Sequence, residues 1–376
     1  MTQGPAQHSE LMDLPVLVTE VEATLKRFFE QREPEIARIG EPAALAVDFL
    51  KDLVFSGGKR IRPAYALAGF YAAGGEIGDG DNALDAKAVL QMVSALELIQ
   101  ACALAHDDVI DASDTRRGQP TVHRAAEHHH ANHHWLGDAA HFGESVAILA
   151  GDLALVWADD MFLTAKVPMD KIVAAIEPWR AMRTEVIGGQ LLDIFLESEG
   201  SESLQLAENV NRFKSAAYTI ERPLHIGAAI AQGSPELIKE LREYGRDIGI
   251  AFQLRDDLLG VFGDPEVTGK PAGDDLREGK RTVLVTRAIE LALEQGRNDW
   301  AAQIREQVGT IEDPEDIAQL ASLIRQTGAV EEVERRIEQL TDAGIANLER
   351  VRALGVSDEA MDMLYRLTQL ATSRKS

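Results

Sequence analysis

Asp107, Asp108 and Asp111 form a cluster whose spacing asks for a chemical explanation. On a helix, Asp107 and Asp111 stand four residues apart on one face, and Asp108 lies three residues from Asp111. Like charges so placed destabilise a helix, so a purely structural role is costly. The cluster closes an apolar stretch through Val93, Leu96 and Ile99, which puts carboxylates at the mouth of a hydrophobic channel. Asp256 and Asp257 repeat the theme: preceded by Phe252 and Gln253, they interrupt an apolar segment from Ile248 to Phe262. Carboxylates and substrate phosphates, with water completing the shell, are the ligands magnesium prefers. Two such clusters facing one another would hold metal ions around a single diphosphate.

Cations stand close by in the sequence. The run Gly57-Gly58-Lys59-Arg60-Ile61-Arg62-Pro63 sets basic side chains after a glycine pair, near an expected helix start. Arg116 and Arg117 follow the first acidic cluster, and Lys214-Ser215, Lys270 and Lys280 add positive charge later. Arginine matches phosphate oxygens through its planar fork, whereas lysine acts as a point charge. Taken singly these residues read as surface decoration. Beside metal-type carboxylates they read as a grip on diphosphate.

The elements that must position these groups are helices. Apolar positions follow a helical period from Ala83 to Asp111, with further segments at Phe142 to Ala165, Asp170 to Phe195, Ser203 to Ala231 and Ser234 to Phe262. Val283 to Glu294, Ala301 to Val308, Asp316 to Gln326 and Val330 to Leu354 continue the pattern, with charged outer faces. No convincing strand alternation appears. Breakers at Gly57-Gly58, Gly74-Gly75, Gly118-Gln119-Pro120, Gly200, Gly233-Ser234-Pro235 and Gly263 to Gly279 separate the segments. An all-α architecture follows: a mobile leader over 1–14, then a single helical domain over 15–376 with a His-rich, exposed insertion near 125–142.

Bulk properties narrow the function. The chain of 376 residues carries a net charge of −24, which argues against a nucleic-acid partner, because phosphate backbones reward clustered Lys and Arg. A phosphorylated substrate stays compatible, since local cations and bound metal reverse the sign within a cleft. The single cysteine, Cys102, excludes an intrachain disulfide and fits a reducing compartment. Residues 1–10 lack the apolar core of a secretory signal, and no apolar run reaches the roughly 20 residues of a bilayer span. A cytoplasmic protein without a transmembrane segment is the expectation.

The blocks GGKRIRP (57–63), DDVIDASDTRRG (107–118), GGQLLD (188–193), FKSAAY (213–218), FQLRDDLLGVFGD (252–264) and GKPAGDDLREGKRT (269–282) together resemble the trans-isoprenyl diphosphate synthase family. They agree in order and approximate spacing over roughly residues 40 to 370, and look most like bacterial, particularly actinobacterial, geranylgeranyl diphosphate synthases. The resemblance implies an isoprenoid-synthase helical bundle around a deep apolar cavity, usually a homodimer. It also implies condensation of isopentenyl diphosphate with dimethylallyl, geranyl or farnesyl diphosphate. Asp107, Asp111 and Asp256 would bind magnesium, three ions with substrate present, supported by Asp108, Asp257 and Gln253. Arg116, Gln190, Asp193, Lys214 and Lys270 would line the allylic side, with Ser215 and Gln253 presenting oxygen dipoles to the allylic cation. Lys59, Arg62, Gln100 and Arg117 would hold isopentenyl diphosphate, and Lys280 belongs near a lid-like basic segment. The family's second acidic motif usually ends in aspartate, whereas this chain has Gly260 there. Asp264 lies on the same face if the helix continues, and in a turn if it does not.

Product length rests on Cys102 and Ala103, small residues where short-chain relatives often carry an aromatic plug. One helical turn is about 5.4 Å, similar to an isoprene unit, so small residues there favour geranylgeranyl diphosphate or longer over farnesyl diphosphate. A class I terpene cyclase shares the substrates but lacks a second diphosphate site, which GGKRIRP and the Gln100/Arg117 pair supply. A non-catalytic regulatory subunit commonly loses the acidic motifs, of which this chain keeps the first entire. His128 to His134 offers ligand-like spacing, which reads as a pH-sensitive loop or an adventitious nickel binder rather than a physiological transition-metal site.

Overall fold

The structure, a computed structural model, describes residues 10–78, 80, 83–264 and 272–372. The chain divides into two compact units, Met1–Ile176 with Ile226–Gly233, and Glu177–His225 with Ser234–Ser376.

In the first unit, α1 (Leu14–Ala37), α2 (Glu41–Phe55), α3 (Ile61–Ala72), α4 (Ala86–Ile110), α5 (Val122–Asn132) and α6 (Ala139–Leu163) pack around α4. Asp85 caps α4 by accepting from the Ala88 N–H at 3.0 Å, which satisfies a donor the helix end would otherwise leave open. Val89, Met92, Val93, Leu96, Leu98 and Ile99 are all buried. Among the described residues α4 alone is long and apolar enough to cross a membrane, but 78% of its most apolar window is buried inside the protein. It is a core helix. Phe28 and Phe29 of α1 meet Trp157 of α6 edge-on, with ring centres 6.0 and 5.7 Å apart.

In the second unit, α10 (Pro235–Phe262) lies against the wide π-helical segment Asn211–Glu221 and against α15 (Ala329–Ala353). Ser234 caps α10 and Pro235 opens it, the favoured pairing at a helix start. Leu254, Leu258 and Val261 share one core with Leu276 of the short helix α11 (Asp274–Glu278). Leu284 and Ile289 of α12 (Val283–Glu294), Ile304 of α13 (Asn298–Gln307) and Leu320 of α14 (Pro314–Gln326) join it. Burying each such side chain contributes about 1.5–3 kcal/mol. Helices α7 (Met169–Glu199), α8 (Leu204–Val210), α9 (Arg222–Ile230) and α16 (Asp358–Thr372) complete the all-α chain.

Several expectations change. The helix expected over 203–231 is three pieces, because Asn211–Glu221 unwinds into π geometry between α8 and α9. A short hairpin, β1 (Thr115–Arg116) with β2 (Gln119–Pro120), occupies the Gly118 breaker; two-residue strands leave no alternation to detect. The His-rich stretch is exposed in part: its first part belongs to α5, packed on α6, with His130 buried, whereas His128 and residues 131–138 are exposed. Val122, Ala126 and His130 recur every four residues on the inner face, where the His130 ring meets Phe142 at 5.0 Å. Of the expected mobile leader, residues 1–9 lie outside the described residues, while Leu11 and Met12 are buried.

Candidate active site

The first acidic cluster closes α4. Asp107 and Asp108 sit in its last turn, and Asp111 caps it through a backbone N–H to the Asp107 carbonyl. The β1–β2 hairpin swings Arg116 back onto this turn. Its Nε reaches both Asp108 oxygens at 2.9 and 3.1 Å, and Nη2 reaches Oδ1 at 2.6 Å and Asp107 Oδ2 at 3.8 Å. Asp108 is buried, whereas the Asp107 side chain keeps 20% of its surface. The pair is therefore asymmetric. Asp107 keeps part of its surface exposed, and Asp108 is held in place by Arg116.

A second set of cations gathers at the start of α3. Gly57 and Gly58 adopt φ of 103° and 130°, conformations that L side chains rarely adopt. A Cβ on Gly58 would also stand 3.2 Å from Arg117 Nη2. Arg117 donates to the Gly57 carbonyl and, at 3.4 Å, to Ser56 Oγ. Arg60 serves as a buried anchor, bonded to Glu97 at 2.8 Å, the Val54 carbonyl at 2.7 Å and Glu22 at 3.3 Å. Arg62 is buried in the first turn of α3 and Lys59 is exposed beside it. Loss of solvation lowers the Arg117 pKa, as do the charges of Arg60, Arg116 and Arg62, with Glu97 partly opposing them. Four guanidiniums thus stand within Coulomb reach of one another in a strongly acidic protein, two of them, Arg60 and Arg116, ion-paired to Glu97 and Asp108.

Farther up α4, Gln100, Cys102 and Ala103 are half-buried. Burial and the Asp152 carboxylate push the Cys102 thiol up to about 12, which makes it an unreactive thiol rather than a nucleophile. His106, which the sequence reading passed over, bonds the Ile148 carbonyl of α6 at 3.0 Å. A Cβ on Gly151 would collide with its ring.

In the second unit, Lys214 lies in the π segment and bonds Asp193 of α7 at 2.6 Å. The two backbones approach so closely that a Cβ on Gly189 would collide with the Lys214 amide. π turns often accompany functional sites. Gln190 and Ser215 are half-buried on the same two elements. On α10, Asp257 is buried and accepts from Gln253 at 2.8 Å and Asn211 at 3.1 Å. Burial pushes its carboxyl up to about 7; the amides of Gln253 and Asn211 oppose the shift, and the Asp275 and Asp256 charges add to it. Asp256 is half-buried one residue earlier.

Helix α10 ends at Phe262 and Gly263 is extended, so Asp264 leaves the face of Asp256. A different acid stands there: an ideal Cβ on Gly260 would fall inside the Asp275 carboxylate. Lys280 bonds Glu278 at 2.6 Å and approaches Asp275 at 3.8 Å. Lys270 lies outside the described residues.

The donor chemistry fits magnesium. Among the described residues no three His, Cys, Asp or Glu side chains converge to enclose an ion by themselves. Magnesium does not need such a cage, because it keeps waters and shares one or two carboxylates with substrate phosphates.

The polyprenyl synthetase family profile matches residues 44–325. The geranylfarnesyl diphosphate synthase of Aeropyrum pernix is 32% identical over 317 residues, 83% of this chain and 90% of that protein. The (2E,6E)-farnesyl diphosphate synthase of Mycobacterium tuberculosis is 31% identical over 324 residues, 85% of this chain and 80% of that one. The crystal structure of geranylgeranyl pyrophosphate synthase from Corynebacterium glutamicum, complexed with isoprenyl diphosphate and magnesium, superposes with a TM-score of 0.92. It is 55% identical and covers 96% of this chain and 100% of that one. The chain belongs to the polyprenyl synthetase family and is a trans-prenyltransferase that lengthens prenyl chains.

Proposed function

We propose that the protein joins isopentenyl diphosphate head-to-tail to dimethylallyl, geranyl or farnesyl diphosphate and releases geranylgeranyl diphosphate or a longer all-trans product. The observation that carries this reading is the gathering of Arg60, Arg62 and Arg116 around Arg117, with Arg116 3.8 Å from Asp107, in a chain of net charge −24. A cyclase needs one diphosphate grip. Condensation needs two.

Asp107, Asp111 and Asp256 are the residues to hold magnesium, three ions with substrate bound. When present, the ions neutralise charge building on the departing diphosphate. Lys214, steered by Asp193, joins Lys270 and Gln190 on the allylic side. Arg116 acts there chiefly through Asp108, which it holds in place. Lys59, Arg62, Gln100 and Arg117 fix isopentenyl diphosphate so that its double bond meets the allylic cation in a positioned reaction. Gln253, whose amide nitrogen donates to Asp257, keeps a carbonyl oxygen for that cation. The released diphosphate is the nearest base for the final proton.

Cys102 and Ala103 leave room for a long chain, and the 55% identity to a synthase named for geranylgeranyl pyrophosphate supports that length over farnesyl. A homodimer fits the outer face of α6, where Leu149, Val156 and Leu163 recur every seven residues and are 65, 56 and 48% exposed. Reducing, cytoplasmic surroundings suit the single thiol.

The test is incubation of radiolabelled isopentenyl diphosphate with each allylic starter, followed by chain-length analysis. Labelled geranylgeranyl or longer diphosphate supports the reading. Hydrocarbon released from an allylic diphosphate alone, with no label incorporated, would favour a cyclase and sink it.

A further inference from the structure

The second acidic motif lacks its final carboxylate, because position 260 is glycine. Gly260 follows Asp256 by four residues and Asp257 by three, so it lies on their side of α10 one turn further on. That place is not empty. Asp275 of α11 reaches across, and its Oδ2 and Cγ occupy the volume in which a side chain at 260 would begin. The carboxylate is only 15% exposed, and no aspartate at 260 fits while it stays there.

The placement is built rather than incidental. Helix α11 starts and ends on glycines in the left-handed region, Gly273 at φ 75° and Gly279 at φ 84°. Leu276 is fully buried in the same core as Leu258 and Val261, which pins α11 to α10 at this level. The Lys280 N–H returns to the Asp275 carbonyl at 3.0 Å, and its ammonium stands 3.8 Å from Asp275 Oδ1. Glu278, bonded to Lys280 at 2.6 Å, shares that cation.

We infer that Asp275 supplies from α11 the carboxylate that Gly260 leaves out, so that glycine at 260 and aspartate at 275 work as a coupled pair in the second half of the metal site. The inference rests on the reading of Asp256 as a magnesium ligand and goes beyond it by naming a positioning residue in another helix. The glycine is then a requirement of this arrangement rather than a weakened motif.

The test compares the native enzyme with Asp275→Ala, Asp275→Asn, Gly260→Asp and the double variant Gly260→Asp/Asp275→Ala. Magnesium binding is measured calorimetrically with inorganic diphosphate present, together with thermal unfolding of each protein. Carboxylates that orient a metal's ligands are worth about ten- to a hundredfold in affinity, so both Asp275 variants should weaken magnesium binding by about that factor. Gly260→Asp alone should weaken it too, because the two carboxylates collide. The double variant should recover toward the native affinity. Native affinity in a folded Asp275→Asn protein, or a double variant no tighter than the weaker single one, would overturn the pairing. A role limited to holding Lys280 would lower the unfolding temperature and leave magnesium affinity alone, which also overturns it. Asp256→Ala is the control: unchanged magnesium affinity there would remove the underlying reading, and the inference with it.

Discussion

The Arg116 guanidinium closes on the Asp108 carboxylate with Nη2 2.6 Å from Oδ1, and the Asp108 side chain has no exposed surface. A buried carboxylate gripped in this way depends on its partner. Removing one member of such a pair costs about 3–5 kcal/mol, because the other charge is left uncompensated. Arg116→Ala should therefore lower stability by about that amount in chemical denaturation. A group that served only to bind substrate would leave the unfolding curve in place.

Arg117 behaves differently. It lies on the surface of its loop, already crowded by three other guanidiniums. Charge-assisted hydrogen bonds contribute about 1.5–3 kcal/mol, so Arg117→Ala should raise the KM for isopentenyl diphosphate by roughly tenfold or more. The kcat and the KM for the allylic substrate should change little. An effect confined to the allylic KM would contradict its place in the second grip.

His225 gives a pH signature. Burial, with Arg242 and Arg222 nearby, pushes its pKa down to about 3, and Arg222 donates to Nδ1 at 3.2 Å, which suits a neutral ring. Glu177, 4.0 Å from Nε2, is the opposing charge. A depressed folded-state pKa means stability present above the unfolded value near 6.5 and lost as pH falls toward the folded one. His225→Gln should flatten the fall in stability between about pH 6.5 and pH 3 relative to the native chain. Parallel curves for the two proteins would refute this.

Cys102 is half-buried beside His106, its Sγ 3.8 Å from Nδ1, one turn before the acidic end of α4. On the proposed function, a phenyl ring there stands in the path of a growing chain. Cys102→Phe should shorten the product, read by chromatography of the dephosphorylated alcohols. An unchanged distribution would remove Cys102 from the length-setting wall.

Legibility in the sequence followed local physics. Helix α12 is readable to the residue because its Val and Leu pattern is sharply bounded and Thr282 caps it. Helix α3 has buried residues along its whole length, so it lacks the amphipathic period that marks surface helices, and only the glycine pair before it hinted at a start. The π segment escaped because a wider turn keeps the same apolar content and shifts only the spacing. The cations of 57–62 and 116–117 were visible as residues, but their convergence depends on the hairpin that turns Arg116 and Arg117 back toward α4. Asp275 was in plain sight within a motif. Its place beside Gly260 depends on a contact between two helices, which spacing along the chain does not encode.

The central claim is that carboxylates at the end of α4 act on a metal-bound diphosphate, and Asp107 is a half-buried member of that set. The most direct measurement is the steady-state rate of labelled isopentenyl diphosphate incorporation by Asp107→Ala at saturating substrates and magnesium, with thermal unfolding recorded alongside. The account predicts a loss of several orders of magnitude at an unchanged unfolding temperature. Near-native turnover in a folded Asp107→Ala protein would contradict it.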